Sequence, residues 1–141
     1  MSANFNGAGG AKCTSAIIVI CAALTACTPS SMMSPERLSS ADAKQLCTDY
    51  HQVKSPNVRA ELERRNAITP EEWMLIDSKK LKLGMSETAF LCAMGTPTVY
   101  GAINRSTGSW GTNTQYVYRF CQTCKAQYFY VKNGKLTSWQ D

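Results

Sequence analysis

An uncharged apolar run near the start of the chain, Ala16-Ile17-Ile18-Val19-Ile20-Cys21-Ala22-Ala23-Leu24, sets the terms for everything after it. It follows a Gly/Asn/Ala-rich opening with one cation, Lys12, and gives way to small residues, Cys27 and then Pro29 in a serine cluster. A membrane-spanning helix needs about 20 apolar residues; this run is too short for that and has the length of the hydrophobic part of an export signal. Removing residues 1–26 leaves 141 − 26 = 115 residues and, with Lys12 gone, a formal charge of +5 − 1 = +4. That is enough chain for one domain with one modest core, in a compartment that permits disulfides.

The segment Leu24-Thr25-Ala26-Cys27 resembles a lipobox, with Leu three residues before the cysteine and a small residue directly before it. The resemblance implies cleavage before Cys27 and attachment of several acyl chains, palmitate among them, to that residue. At about 0.8 kcal/mol per buried methylene, several chains anchor a protein permanently where one does not. Thr28 stands where Asp often marks inner-membrane retention, so the expected location is the periplasmic face of the outer membrane. The competing reading is an ordinary secretory signal that happens to end near a cysteine.

Residues 27–39 are rich in Ser, Pro and Met with little periodicity and read as a lipidated, flexible tether. From Ser40 the pattern turns helical, with Ala43, Leu46, Cys47 and Tyr50 recurring on one face. Ser55-Pro56 opens a short second helix carrying Val58 and Leu62. Thr69-Pro70-Glu71-Glu72 combines an N-cap, Pro at the first position and Glu at the third, a capping box ahead of Trp73, Ile76 and Leu83, with Gly84 as the expected stop. Ser86 caps a fourth helix holding Ala89, Phe90 and Met94, ended by Gly95 and Pro97.

Beyond Pro97 the chain reads as strands. They are expected over residues 98–104, 115–120 and 127–131, with a polar loop containing Trp110 after the first and Cys121-Gln122-Thr123-Cys124 joining the other two. Asn133-Gly134 is a turn leading into Leu136 and Trp139. Helices followed by an antiparallel meander make an α+β domain over residues 40–141, its helices packed on a three-stranded sheet, with residues 40–66 as an N-terminal helical extension.

Gly84-Met85-Ser86, then Gly95-Thr96-Pro97, the aromatic strand Tyr116-Val117-Tyr118 and finally Phe129 with Gly134-Lys135-Leu136 resemble, in that order, the SmpA/OmlA (BamE-like) family of small outer-membrane lipoproteins. The match covers about residues 69–137. It implies a compact two-layer α+β domain and a non-enzymatic role as a protein-binding scaffold in cell-envelope assembly, outer-membrane β-barrel assembly included. The extension 40–66 and the cysteines are not part of that pattern, and Tyr116 stands where many members carry Trp. Folds of this shape also occur in inhibitor-like and secretion-associated modules.

Cys47, Cys92, Cys121 and Cys124 form an even set, which in an oxidising compartment points to two disulfides. Of three pairings the favoured one is Cys47–Cys92 with Cys121–Cys124, the first tying the helical extension to the fourth helix; buried free thiols at Cys47 and Cys92 are the alternative. Cys121-x-x-Cys124 as a thiol oxidoreductase motif is the least favoured reading of the function, because alternating aromatics place the pair at a hairpin end and not at a helix N-terminus that lowers a thiol pKa. Zinc lacks two further ligands, since the one histidine, His51, lies in another segment and reads as a solvated helix-end residue. Glu71 and Glu72 are explained by capping, Lys79-Lys80-Lys82 by the dipole of a helix end, and the other cations are dispersed with acids nearby. No catalytic set, cofactor or nucleic-acid partner is expected.

A binding face is what remains. If Val99, Ile103, Val117, Phe129 and Val131 face the helices, then Tyr100, Tyr116, Tyr118, Tyr128 and Tyr130 line the outer face, with Trp110 beside or over them. Trp73 reads as core. On this reading Tyr118→Ala weakens partner binding and leaves the domain folded, and unchanged recovery of a partner counts against it.

Overall fold

The computed structural model describes residues 33–140. The export signal, Cys27 and the first part of the tether lie outside the described residues. Five helices precede four strands: α1 (Pro35–Ser40), α2 (Ala43–Val53), α3 (Pro56–Arg64), α4 (Pro70–Asp77), α5 (Glu87–Met94), β1 (Ala102–Gly108), β2 (Gly111–Tyr118), β3 (Gln127–Lys132) and β4 (Lys135–Gln140). The strands form one open antiparallel sheet in chain order. The domain is α+β, and no helix of the described residues is long and apolar enough to cross a membrane.

α2, α4 and α5 begin at residues whose side chains cap them, whereas Ser34 and Ser55 precede α1 and α3 without a side-chain cap bond. Asp42 accepts from the backbone N–H groups of Lys44 and Gln45 at the start of α2. Thr69 and Glu72 form the reciprocal capping box on α4. Ser86 accepts from Ala89 N–H on α5, which Gly95 ends at a left-handed φ of 69°. Glu72 also reaches across to the Ser86 N–H with its second oxygen, so one carboxylate caps its own helix and anchors the next.

Two helical boundaries differ from the sequence reading. Residues 35–39, placed in the tether on their Ser/Pro content, form α1, whose Leu38 is buried. The Arg65 guanidinium holds this helix by donating to the carbonyls of Leu38 and Ala41. The helix expected to run toward Gly84 stops at Asp77: the Ser78 hydroxyl bonds back to the Met74 and Leu75 carbonyls, Lys79 turns left-handed, and Leu83 is 55% exposed.

The sheet has four strands where three were expected. Residues 98–101 form a turn, with Gly101 N–H donating to the Thr98 carbonyl, and β1 starts only at Ala102. The polar stretch read as a loop is a hairpin: β1 and β2 pair down to Gly108↔Gly111, leaving Ser109-Trp110 at the tip. Gly111 takes a φ of 103°, open to glycine and hostile to a side chain. Asn133 and Gly134, both at positive φ, turn β3 into the fourth strand.

Both disulfides are present, Cys47–Cys92 and Cys121–Cys124. The first is fully buried and joins α2 to α5 across 45 residues of sequence. Closing a loop of that length restricts the unfolded chain by about 4 kcal/mol on the chain-entropy account. The core lies between the helices and the sheet, with Phe90 at its centre in ring contact with Tyr116, Tyr118 and Phe129 at centroid distances of 5.3, 6.1 and 5.3 Å. Replacing both Cys47 and Cys92 by Ala is expected to lower unfolding free energy by about 4 kcal/mol. A denaturant titration placing the double variant within about 0.5 kcal/mol of the native protein would contradict this.

Candidate functional site

Which sheet face meets the helices is decided on β2. Tyr116 and Tyr118 point inward and are 2% and 5% exposed. The Tyr116 hydroxyl donates to Glu87 Oε1 at 2.6 Å, and the Tyr118 hydroxyl donates to the Gly95 carbonyl at 2.6 Å. Phe129 and Val131 share that face, as cross-strand neighbours must, whereas Val117 lies with Tyr128 on the other. The sequence reading of Phe129 and Val131 is therefore correct and that of Val117, Tyr116 and Tyr118 is reversed. Tyr116 and Tyr118 are core residues and leave the set of partner contacts.

Glu87 explains why two phenols can be turned inward. Its carboxylate, on a residue only 5% exposed, accepts from Lys44 Nζ on α2, Arg105 on β1 and Tyr116 on β2. Burial pushes its pKa up, but the hydrogen bonds from Lys44 and Tyr116 and the charges of Lys44 and Arg105 outweigh that, and the net direction is down. Glu72 follows the same logic: burial raises its pKa, and bonds from the backbone of Ser86 and Thr69 bring it down overall. The Tyr116 phenol is raised by burial first and by Glu87 second, so it stays protonated and keeps donating.

Outside the core, apolar side chains gather at one end of the sheet. The Thr98 hydroxyl donates to the Arg119 carbonyl at 2.8 Å, drawing the 98–101 turn against the end of β2. Val99, 91% exposed, and Tyr100 are thereby set beside Phe120, 71% exposed. Ile103, further along β1 opposite Tyr116, is also exposed. Val99 and Ile103 were expected to face the helices; Ile103 does lie on the face of Tyr116 and Arg105 but stays exposed, and Val99 sits in the turn ahead of β1. Phe120 was not singled out in the sequence, although an aromatic directly before a Cys-x-x-Cys connection was a signal for it.

The remaining candidates are scattered. Trp110 occupies the tip of the β1–β2 hairpin, at the far end of β1 from Tyr100. Tyr128 and Tyr130 lie half-buried on the outer face, where Tyr130 accepts from Gln115, itself bonded to Asn104. Cys121 and Cys124 close the β2–β3 connection next to Phe120, in a turn with Cys124 N–H on the Cys121 carbonyl, and no helix among the described residues begins at either cysteine. That setting lacks the helix N-terminus that activates a redox thiol.

The chain matches no family model, and neither the curated proteins nor the solved structures compared with it show a similarity.

Two outcomes follow. Tyr118→Ala is expected to destabilise the domain by about 3 kcal/mol, the usual cost of emptying a buried aromatic site, and native-like stability of that variant would return Tyr118 to the surface. Glu87 and Glu72 both have pKa values lowered by folding, so their contribution is present above the ordinary carboxylate value of 4.5 and is lost as pH falls through the lowered folded value. Urea midpoints measured between pH 7 and pH 3 are expected to drop mainly below about pH 4.5, with the drop reduced in Glu87→Gln.

Proposed function

We propose that this chain is a lipid-anchored, non-enzymatic protein of the cell envelope that holds a partner protein at the free end of its sheet. The observation that carries the reading is the exposed group Val99, Tyr100 and Phe120. Three large side chains left exposed together at one corner, outside the buried core, usually serve association. The disulfides fit export, since they persist in oxidising compartments. The lipobox-like Leu24-Thr25-Ala26-Cys27 supports an anchor on Cys27, at the periplasmic face of the outer membrane. The ordered motifs that resemble the SmpA/OmlA family support a place in envelope assembly, barrel assembly included.

Crosslinking in intact cells, followed by recovery of the C-terminally tagged full chain from solubilised membranes, tests this. One envelope protein is expected in stoichiometric yield, reduced at least about tenfold by Val99→Asp with Phe120→Asp, a factor equal to about 1.4 kcal/mol. Cys27→Ser is expected to leave the chain unlipidated and to weaken recovery. Undiminished recovery with the surface variant would remove the proposed site. Barrel-assembly components as the crosslinked species would support the family resemblance, and an enzyme or secretion component would favour the inhibitor-like or secretion-associated alternative.

A further inference from the structure

Resting on that reading, we propose that the Cys121–Cys124 disulfide is a thiol-responsive latch: oxidised, it holds the docking corner together, and reduced, it releases the partner. The two disulfides differ in what can reach them. Cys47 and Cys92 are fully buried, whereas Cys121 and Cys124 are both partly exposed. Exchange requires a thiolate to reach a sulfur, so access directs it to the second pair. Its cysteines are 3 residues apart in sequence, against 45 for the first pair. A loop so short removes little freedom from the unfolded chain, so the global fold does not rest on it. Exposed disulfides belong to the labile class that serves regulation or catalysis, and this one lacks the helix N-terminus that catalysis uses.

What the disulfide does hold is local. β2 ends at Tyr118 and β3 begins at Gln127, and buried Tyr118 and Ala126 fix the two ends of the connection. Between them Phe120, Gln122, Thr123 and Lys125 stand in solvent. Besides the disulfide, the connection carries two long hydrogen bonds: Cys124 N–H to the Cys121 carbonyl at 3.2 Å, and the Arg119 guanidinium to the Gln122 carbonyl at 3.5 Å. A covalent crosslink therefore restrains the residues directly after Phe120 more firmly than these bonds do. The same connection holds the 98–101 turn, through the Thr98 hydroxyl on the Arg119 carbonyl, so Val99 and Tyr100 share its state.

The exchange balances with a dithiol as reductant, a small molecule or the Cys-x-x-Cys pair of an envelope protein. Its thiolate attacks Cys124 Sγ, which breaks the S–S bond and forms a mixed disulfide, and Cys121 leaves as a thiolate. The Thr123 hydroxyl, 3.7 Å from Cys121 Sγ, is placed to donate to that thiolate, which then takes a proton from water. The reductant's second thiolate attacks its own partner sulfur and frees Cys124, which is protonated in turn. Two electrons pass to this chain; the dithiol ends as a disulfide and both cysteines end as thiols.

The test uses the membrane-extracted full chain with both disulfides formed, treated with dithiothreitol without denaturant. Alkylation and peptide mapping are expected to find Cys121 and Cys124 freed at least about tenfold faster than Cys47 and Cys92. In chain reduced to that stage, amide hydrogen exchange of residues 98–101 and 119–126 is expected to speed about tenfold or more, with residues 87–94 unchanged. Equal rates of reduction, or unchanged exchange in both segments, would overturn the latch. In cells, Cys121→Ser with Cys124→Ser is expected to cut crosslinked recovery of the partner about tenfold while residues 87–94 keep native exchange. Undiminished recovery with that double variant would also overturn it. The two readings fail separately: recovery lost with Val99→Asp and Phe120→Asp but kept with the serine pair leaves the docking corner standing and removes the latch.

Discussion

The Glu87 carboxylate is the point at which the two layers of this domain are joined. It sits at the start of α5, almost out of solvent, and is met by a lysine from α2, an arginine from β1 and a phenol from β2. A buried carboxylate without partners costs several kcal/mol, so the site is stable only as a complete set. Each partner comes from a different element, and completing the set fixes how α2, α5, β1 and β2 lie relative to one another. The inward turn of Tyr116 follows, then that of Tyr118 two residues on, and with them the face that β3 must present to Phe90.

The Cys47–Cys92 bridge secures the helical side of that arrangement. It ties α2 to α5, the helix that Glu87 begins, and so keeps Lys44 within reach of the carboxylate. α3 and α1 are then held from α2 outward, with Val58 and Leu62 buried and Arg65 bonded to the carbonyls at the end of α1. The helical segment ahead of α4 is polar and would be marginal alone; crosslinked, it forms part of one core. At the far side of the sheet nothing comparable among the described residues covers β1, which is exposed together with the corner at Val99 and Phe120.

The helices were largely legible because their signals are local. Thr69 with Glu72, and Ser86, act within one turn of their own helix, and Gly95 ends α5 by a conformation written in its own residue type; Asp42 caps α2 in the same local way but was not singled out. The cysteine pairing was legible from an even count and a three-residue spacing. The face of β2 was not. Gln115-Tyr116-Val117-Tyr118 alternates equally well either way, and a slip of one residue exchanges the faces. Tyrosine is settled by where its hydroxyl finds an acceptor, and both acceptors, Glu87 and the Gly95 carbonyl, lie more than 20 residues away. β1 was misplaced because its composition, Asn-Arg-Ser-Thr-Gly after Ile103, is that of a loop, and its pairing with β2 supplies the order. Leu38, a lone apolar residue in a Ser/Pro-rich stretch, has no periodic partner to mark it as core.

The proposed binding surface depends on that inward register: if Tyr116 and Tyr118 faced outward, the aromatic surface would lie on the opposite side and the corner at Val99 and Phe120 would not be the proposed site. The measurement closest to this claim is a double-mutant cycle on Glu87→Gln and Tyr116→Phe, read as unfolding free energy. A hydrogen bond to a charged buried group predicts a coupling of about 1.5–3 kcal/mol between the two substitutions. Effects that simply add, within about 0.5 kcal/mol, would mean that the phenol and the carboxylate do not meet, and would contradict the orientation of the sheet on which the account rests.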